Sequence, residues 1–191
     1  MDSNLAYREE VREELINGVA VAMSPSPTFN HNRVAFRIAC LFESYLKGKP
    51  CTAIADGMDL YLTETDRFIP DMMVVCDRDK IHWDGVHGAP DLVVEVLSPS
   101  TSRKDRMQKK AVYEACGVRE YWLADPNSRT IEQYLLQDGA LTLHGVYVSY
   151  TDRDLERMSD AERADIIKTF RCSLYDDFDI ALDDIFSGLL P

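Results

Sequence analysis

Pro90-Asp91-Leu92-Val93-Val94-Glu95-Val96-Leu97-Ser98-Pro99-Ser100-Thr101, PDLVVEVLSPST at 90–101, is the stretch on which the reading of this chain turns. Leu92 to Leu97 is a nearly continuous apolar run. That pattern belongs to a central strand covered on both faces. Ser98-Pro99-Ser100-Thr101 ends it. Glu95 is the exception inside the run. A lone carboxylate in a buried strand is costly unless it is paired or bound to a cation. It therefore either bridges to an arginine in the core, ends a strand, or belongs to a site.

Downstream, a helix is expected over about 103–116, stopped by Gly117, and then an apolar strand from Glu120 to Ala124. Thr130–Leu136 and Leu141–Tyr150 read as a hairpin around Asp138-Gly139. Upstream, Met72–Cys76 is a short strand entered through Pro70-Asp71. Residues 77–89 are mostly loop, 63–67 a polar turn, and 51–62 alternate as strand. Val34, Ile38, Leu41, Phe42 and Tyr45 recur at helical spacing over 31–47, with Gly48 as the stop. Leu15-Ile16 and Val19–Met23 flank Asn17-Gly18, whose residues tolerate positive φ, so a hairpin is expected. Residues 5–14 are helix-compatible, 24–27 a proline-rich loop, and 152–168 a charged surface helix. The tail, 174–190, is expected on the edge of the sheet. The fold class is α/β: a mixed central sheet flanked by helices 31–47 and 103–116, in a single domain over 1–191.

The chain has 191 residues, enough for one well-buried core and short for two domains. No apolar run is long enough to span a bilayer, so no membrane partner is expected. The acidic, polar N-terminus does not read as a secretory signal. Cys40, Cys51, Cys76, Cys116 and Cys172 are scattered, with no C-x-x-C spacing. A zinc site or redox pair is not expected, and Cys40, Cys76 and Cys116 read as small core residues. The cytoplasm is the expected compartment. A net charge of −12 argues against tight nonspecific binding to nucleic acid. It leaves room for a local basic patch, or for contact through metal ions held by carboxylates.

Asp71 is the natural partner for Glu95. Two carboxylates on adjacent strands can converge on one Mg²⁺, which takes oxygen ligands and keeps several waters. Asp105, Lys109 and Tyr113 are spaced four apart and share one helix face. Taken alone, that face reads as a solvated stripe with an Asp–Lys pair.

Two carboxylates and an amine on a mixed sheet resemble the PD-(D/E)XK nuclease superfamily. Pro70-Asp71 matches its first element and Glu95 its second. Leu97 stands where that pattern has lysine, and the resemblance then requires Lys109 to replace it. The chain also resembles the Uma-two family of restriction endonucleases. The matching segments are Glu14-Leu15-Ile16-Asn17-Gly18 with Met23-Ser24-Pro25, then Pro70-Asp71, PDLVVEVLSPST, and Asp105, Lys109 and Tyr113. GVREYWLADP (117–126) and FRCSLYDDFDIALDDIF (170–186) complete them. The stretch 152–168 falls outside the match and reads as an insertion.

The resemblance implies a restriction-endonuclease-like core with Asp71, Glu95, Lys109 and Glu14 at the site, and with His31 at a commonly polar position. It implies Mg²⁺ or Mn²⁺ held by Asp71, Glu95 and the backbone carbonyl of Val96, and hydrolysis of phosphodiester bonds in nucleic acid, with DNA the expected substrate. Cutting both strands of a duplex is easier for a homodimer, which is an expectation from geometry alone. The alternatives are a catalytically inactive nuclease-like module that binds nucleic acid or a protein, and a structural protein in which Glu95 is only salt-bridged.

Overall fold

A computed structural model describes residues 12–23, 27–55 and 57–190. Strands β1 (Glu13–Ile16) and β2 (Val19–Ala22) pair antiparallel, and Asn17 and Gly18 turn between them with φ of 51° and 76°. Helix α1 (Phe29–Leu46) starts at Thr28, whose hydroxyl accepts from the backbone of His31, and buries Val34, Ile38, Phe42 and Leu46. Then come β3 (Thr52–Ala55), β4 (Leu60–Tyr61), β5 (Arg67–Phe68), β6 (Met72–Val75), β7 (Val86–His87) and the buried β8 (Leu92–Val96). Helix α2 (Ser102–Lys104) runs through a π-turn at Asp105–Lys109 into α3 (Lys110–Cys116), and Gly117 ends it in the left-handed conformation. Strands β9 (Glu120–Asp125), β10 (Thr130–Gln137) and β11 (Ala140–Val148) follow. Short helices α4 (Asp152–Glu156) and α5 (Asp160–Ala164), strands β12 (Thr169–Arg171) and β13 (Asp179–Ala181), and helix α6 (Leu182–Phe186) complete the described chain.

The central sheet has the order β11-β10-β9-β8-β6-β3, with β8 and β9 parallel and every other neighbour antiparallel. It is thus the mixed sheet expected from the sequence. A smaller sheet, β2-β1-β5-β4-β7, lies beside it. Alternation sorts the core into two layers. Met72, Val74, Leu92, Val94, Trp122 and Ala124 pack with α1 and the tail. Met73, Val75, Val93, Leu97, Tyr121 and Leu123 pack with Tyr113 of α3 and with Ile16, Leu60 and Phe68 of the smaller sheet.

Several expectations change. Of the stretch read as helix-compatible, 5–11 lie outside the described residues, and Glu13 and Glu14 are in β1, where pairing with β2 overrides local propensity. The loop expected at 24–27 is described only at Pro27. The tail packs on a face of the sheet, not its edge, because Phe170, Phe178, Ile180, Ile185 and Phe186 enter the core beneath α1. Buried Glu120 on β9 secures it, accepting from Trp122, from Gln133 and from the backbone of Ser173 (2.9 Å). Residues 152–168 form two short helices, each opened by its own capping box at Thr151 or Ser159. Cys76 is not a free core thiol: it sits opposite Cys51 on paired strands, and the two form a disulfide. Cys40 is exposed and Cys116 half-buried. No helix among the described residues is long and apolar enough to cross a membrane.

Candidate active site

The antiparallel pairing of β6 with β8 sets Met72 against Val94. One step further along that register, Asp71 stands opposite Glu95. There the ladder is carried by a side chain, as the Val96 N–H donates to Asp71 Oδ2 at 2.7 Å. Asp71 Oδ1 lies 3.5 Å from Nε2 of His31 in the first turn of α1, and His31 Nδ1 is buried without a hydrogen-bond partner among the described residues.

Glu95 points into the layer shared by α3 and the smaller sheet. Its Oε1 accepts from Lys109 Nζ at 2.9 Å and from the Tyr113 hydroxyl at 2.7 Å. Lys109 also reaches Glu14 Oε1 at 2.7 Å and Asp105 Oδ1 at 3.7 Å. Lys104 Nζ holds the other oxygen of Glu14 at 3.0 Å, and the Ile69 N–H donates to Oε1. The helix-face reading as a solvated stripe is therefore corrected: Asp105 and Lys109 are 2% and 3% exposed. They are buried because α2 and α3 cover the sheet, with the π-turn between them. Such turns occur often at functional sites.

The electrostatics follow from that crowding. Burial alone would discharge Lys109, but Glu95, Glu14 and Asp105 hold its ammonium above the usual lysine range. Burial likewise works against ionised Glu14, yet Lys109, the Ile69 N–H and Lys104 outweigh it and keep its carboxyl below the ordinary value. For Glu95, burial wins over Lys109 and is reinforced by Asp105, Asp71 and Glu14, pushing it up to about 8. Burial raises Asp71 to about 6 against His31 and the Val96 N–H, and it raises Asp105 against Lys109. Four carboxyl groups crowd two lysines, and this crowding together with burial holds Glu95, Asp71 and Asp105 toward their neutral forms. Asp71 is the most open of the four, its side chain 18% exposed where those of Glu14, Glu95 and Asp105 are 5% or less.

Glu14, Glu95 and Lys109 thus meet in one cluster, with Asp71 beside Glu95 at its open side. Val96 takes part through its N–H. Leu97 is packed in the core, so the ammonium comes from the helix instead. Lys104 was not foreseen. It lies in the charged run Ser102–Arg106, which looks like surface, and only the contact between helix and hairpin brings it to Glu14. Among the described residues, no three His, Cys, Asp or Glu side chains converge as in an all-protein metal cage. A Mg²⁺ site needs only one or two carboxylates and water.

The architecture matches that of a solved protein. A nuclease candidate from Anabaena variabilis ATCC 29413, titled "a putative nuclease belonging to DUF820", superposes with a TM-score of 0.65 over 93% of this chain and 91% of its own, at 19% identity. The fold is the restriction-endonuclease-like α/β class. The particular family follows from the sequence model: residues 3–162 match Uma2, described as "Putative restriction endonuclease", and the chain belongs to that family. Two Synechocystis relatives, the uncharacterized proteins slr1290 and sll1609, are 31% and 28% identical. Those matches cover 69% and 64% of this chain and 70% and 71% of theirs.

Proposed function

We propose that this protein is a divalent-metal-dependent nuclease that hydrolyses phosphodiester bonds, with DNA as its substrate. The observation that carries the reading is the buried convergence of Glu14, Glu95, Asp105 and Lys109 beside the partly open Asp71. A buried ionic cluster is weak support for stability, since apolar side chains of similar volume generally serve as well or better. Carboxyl groups held toward their neutral forms around one opening suit a cation that arrives from solvent and favours their ionised forms.

Asp71 and Glu95, with the carbonyl of Val96, would hold Mg²⁺ or Mn²⁺; hard oxygen donors fit such an ion. The bound ion would supply Lewis-acid stabilisation of charge on the phosphoryl group. Lys109 and Tyr113 hold Glu95 by Oε1 and so orient the carboxylate. Lys109 also contributes positive charge at the scissile phosphate, where electrostatic positioning dominates phosphoryl transfer. Glu14 fixes Lys109 and Lys104 relative to the hairpin. Leu97 favours the second reading, a non-catalytic module, because the strand lacks its lysine. Lys109, 2.9 Å from Glu95, answers that objection from the helix. The chain is read as one nuclease-like unit, and as a homodimer where both strands are cut.

The test combines a metal titration with cleavage of supercoiled plasmid. A ligand that binds only the native state raises the melting temperature as ln(1 + [L]/Kd). Mn²⁺ should raise it for the parent and not for Asp71→Asn. Asp71→Asn and Glu95→Gln should both lose metal-dependent cleavage while staying folded. Undiminished cleavage in both variants, or no metal response in the parent, rejects the proposal.

A further inference from the structure

The charged stretch 152–168 has no part in the chemistry above. Its position follows from the strand directions. β8 and β9 run parallel, and β10 and β11 alternate back, so the 126–129 turn and the end of β11 lie at the same end of the sheet as Asp71 and Glu95. Between that turn and α4 lies a groove lined by Asn127, Ser128, Arg129, Thr151, Arg153 and Arg157, among others. None of the three arginines forms a salt bridge among the described residues. Arg129 Nη2 donates to the Phe186 carbonyl at 2.7 Å, which fixes the guanidinium, while its Nε is buried without a hydrogen-bond partner among the described residues. The acidic side chain in the groove, Asp154, is committed to the backbone and hydroxyl of Thr151. In a chain of net charge −12, three arginines against one aspartate in one groove form a local basic site.

We infer that this groove binds the phosphodiester backbone of the nucleic-acid substrate away from the point of cleavage. The inference rests on the nuclease reading and adds where the substrate is gripped. Arg129 is two strands over from Glu95 and three residues beyond Glu132 on β10, which shares Glu95's row through Leu123. With strands ~4.8 Å apart and ~3.3 Å per residue, the separation is on the order of 15 Å. That is about four steps along one strand of a duplex at ~3.4 Å each. Guanidinium groups suit the task because their planar donors match phosphate oxygens. Arg153 and Arg157 at α4 thus join Arg129 from the 126–129 turn in lining the groove.

The experiment is fluorescence anisotropy of a labelled 20-base-pair duplex with the full chain in EDTA, over a range of salt. Each phosphate contact adds about 0.9 to the slope of log K against log salt. Arg153→Gln/Arg157→Gln should make the slope shallower by about 2, with the melting temperature unchanged. Arg153→Lys/Arg157→Lys, which keeps both charges, should retain the parental slope, as should Lys47→Gln at the far end of α1. An unchanged slope in the glutamine double variant overturns this inference alone, and so does an equal loss in Lys47→Gln. A parent that binds without salt dependence, or not at all, also overturns this inference, while the nuclease reading is decided separately by the metal-dependent cleavage above.

Discussion

Replacing Lys109 with methionine removes the ammonium from a site where it is 2.7 Å from Glu14, 2.9 Å from Glu95 and 3.7 Å from Asp105. Methionine fills similar volume, so the change isolates charge from packing. At an effective dielectric constant of ~20, each of the two close contacts carries about 6 kcal/mol of gross attraction. Desolvation of the buried ammonium offsets several kcal/mol of that. Removing one partner of a buried pair costs about 3–5 kcal/mol, because the remaining charges stay buried without compensation. That is a large share of the roughly 5–15 kcal/mol that holds a typical domain together. Urea denaturation in EDTA at pH 9, above the raised range of Glu95, measures it. Adding Glu95→Gln should recover at least about 1 kcal/mol, since coupled neighbours give interaction energies of ~0.5–3 kcal/mol. Glutamine keeps an acceptor for Tyr113 and carries no charge. A Lys109→Met variant within about 1 kcal/mol of the parent, or no recovery in the double variant, would refute the view that this lysine neutralises the cluster.

The hairpin that presents Glu14 is tied down by Asp66, which accepts from the Asn17 N–H at 2.8 Å and from the hydroxyls of Thr63 and Thr65. Burial opposes its ionised form, but these bonds win and hold its carboxyl below the ordinary value. Asp66→Asn should therefore cost about 1.5–3 kcal/mol at pH 7, the range for hydrogen bonds to a charged group. Because the folded-state pKa is depressed, that contribution is complete above the unfolded value of about 3.9 and is lost as pH falls through the folded one, so the parent and variant should converge in acid urea melts. Purified without reductant and then unfolded, the protein should show three reactive thiols, those of Cys40, Cys116 and Cys172, and a count of five would contradict the Cys51–Cys76 bridge.

Local signals carried most of the architecture. Asn17-Gly18 and Asp138-Gly139 mark tight turns because their residues accept positive φ, and both turns form. The helical spacing of Val34, Ile38 and Phe42 and the apolar run around Glu95 marked the two elements between which the core is built. What periodicity misjudged was environment. Asp105 and Lys109 have the spacing of a solvated helix pair, and the charged run 152–168 looks like one helix until its two caps divide it. Cys51 and Cys76 are separated by 25 residues, and only strand pairing reveals them as neighbours.

The sequence by itself determined that one carboxylate, Glu95, would be buried in a central strand, since apolar neighbours on both sides leave it no path to water. Its company was decided by tertiary structure. Glu14 comes from a hairpin, Asp71 from the neighbouring strand, and Lys104 and Lys109 from a helix, and no local rule couples segments so far apart in the chain. Charges that read separately as surface become a single electrostatic unit once helix and hairpin close over the sheet and exclude the water that would have screened them.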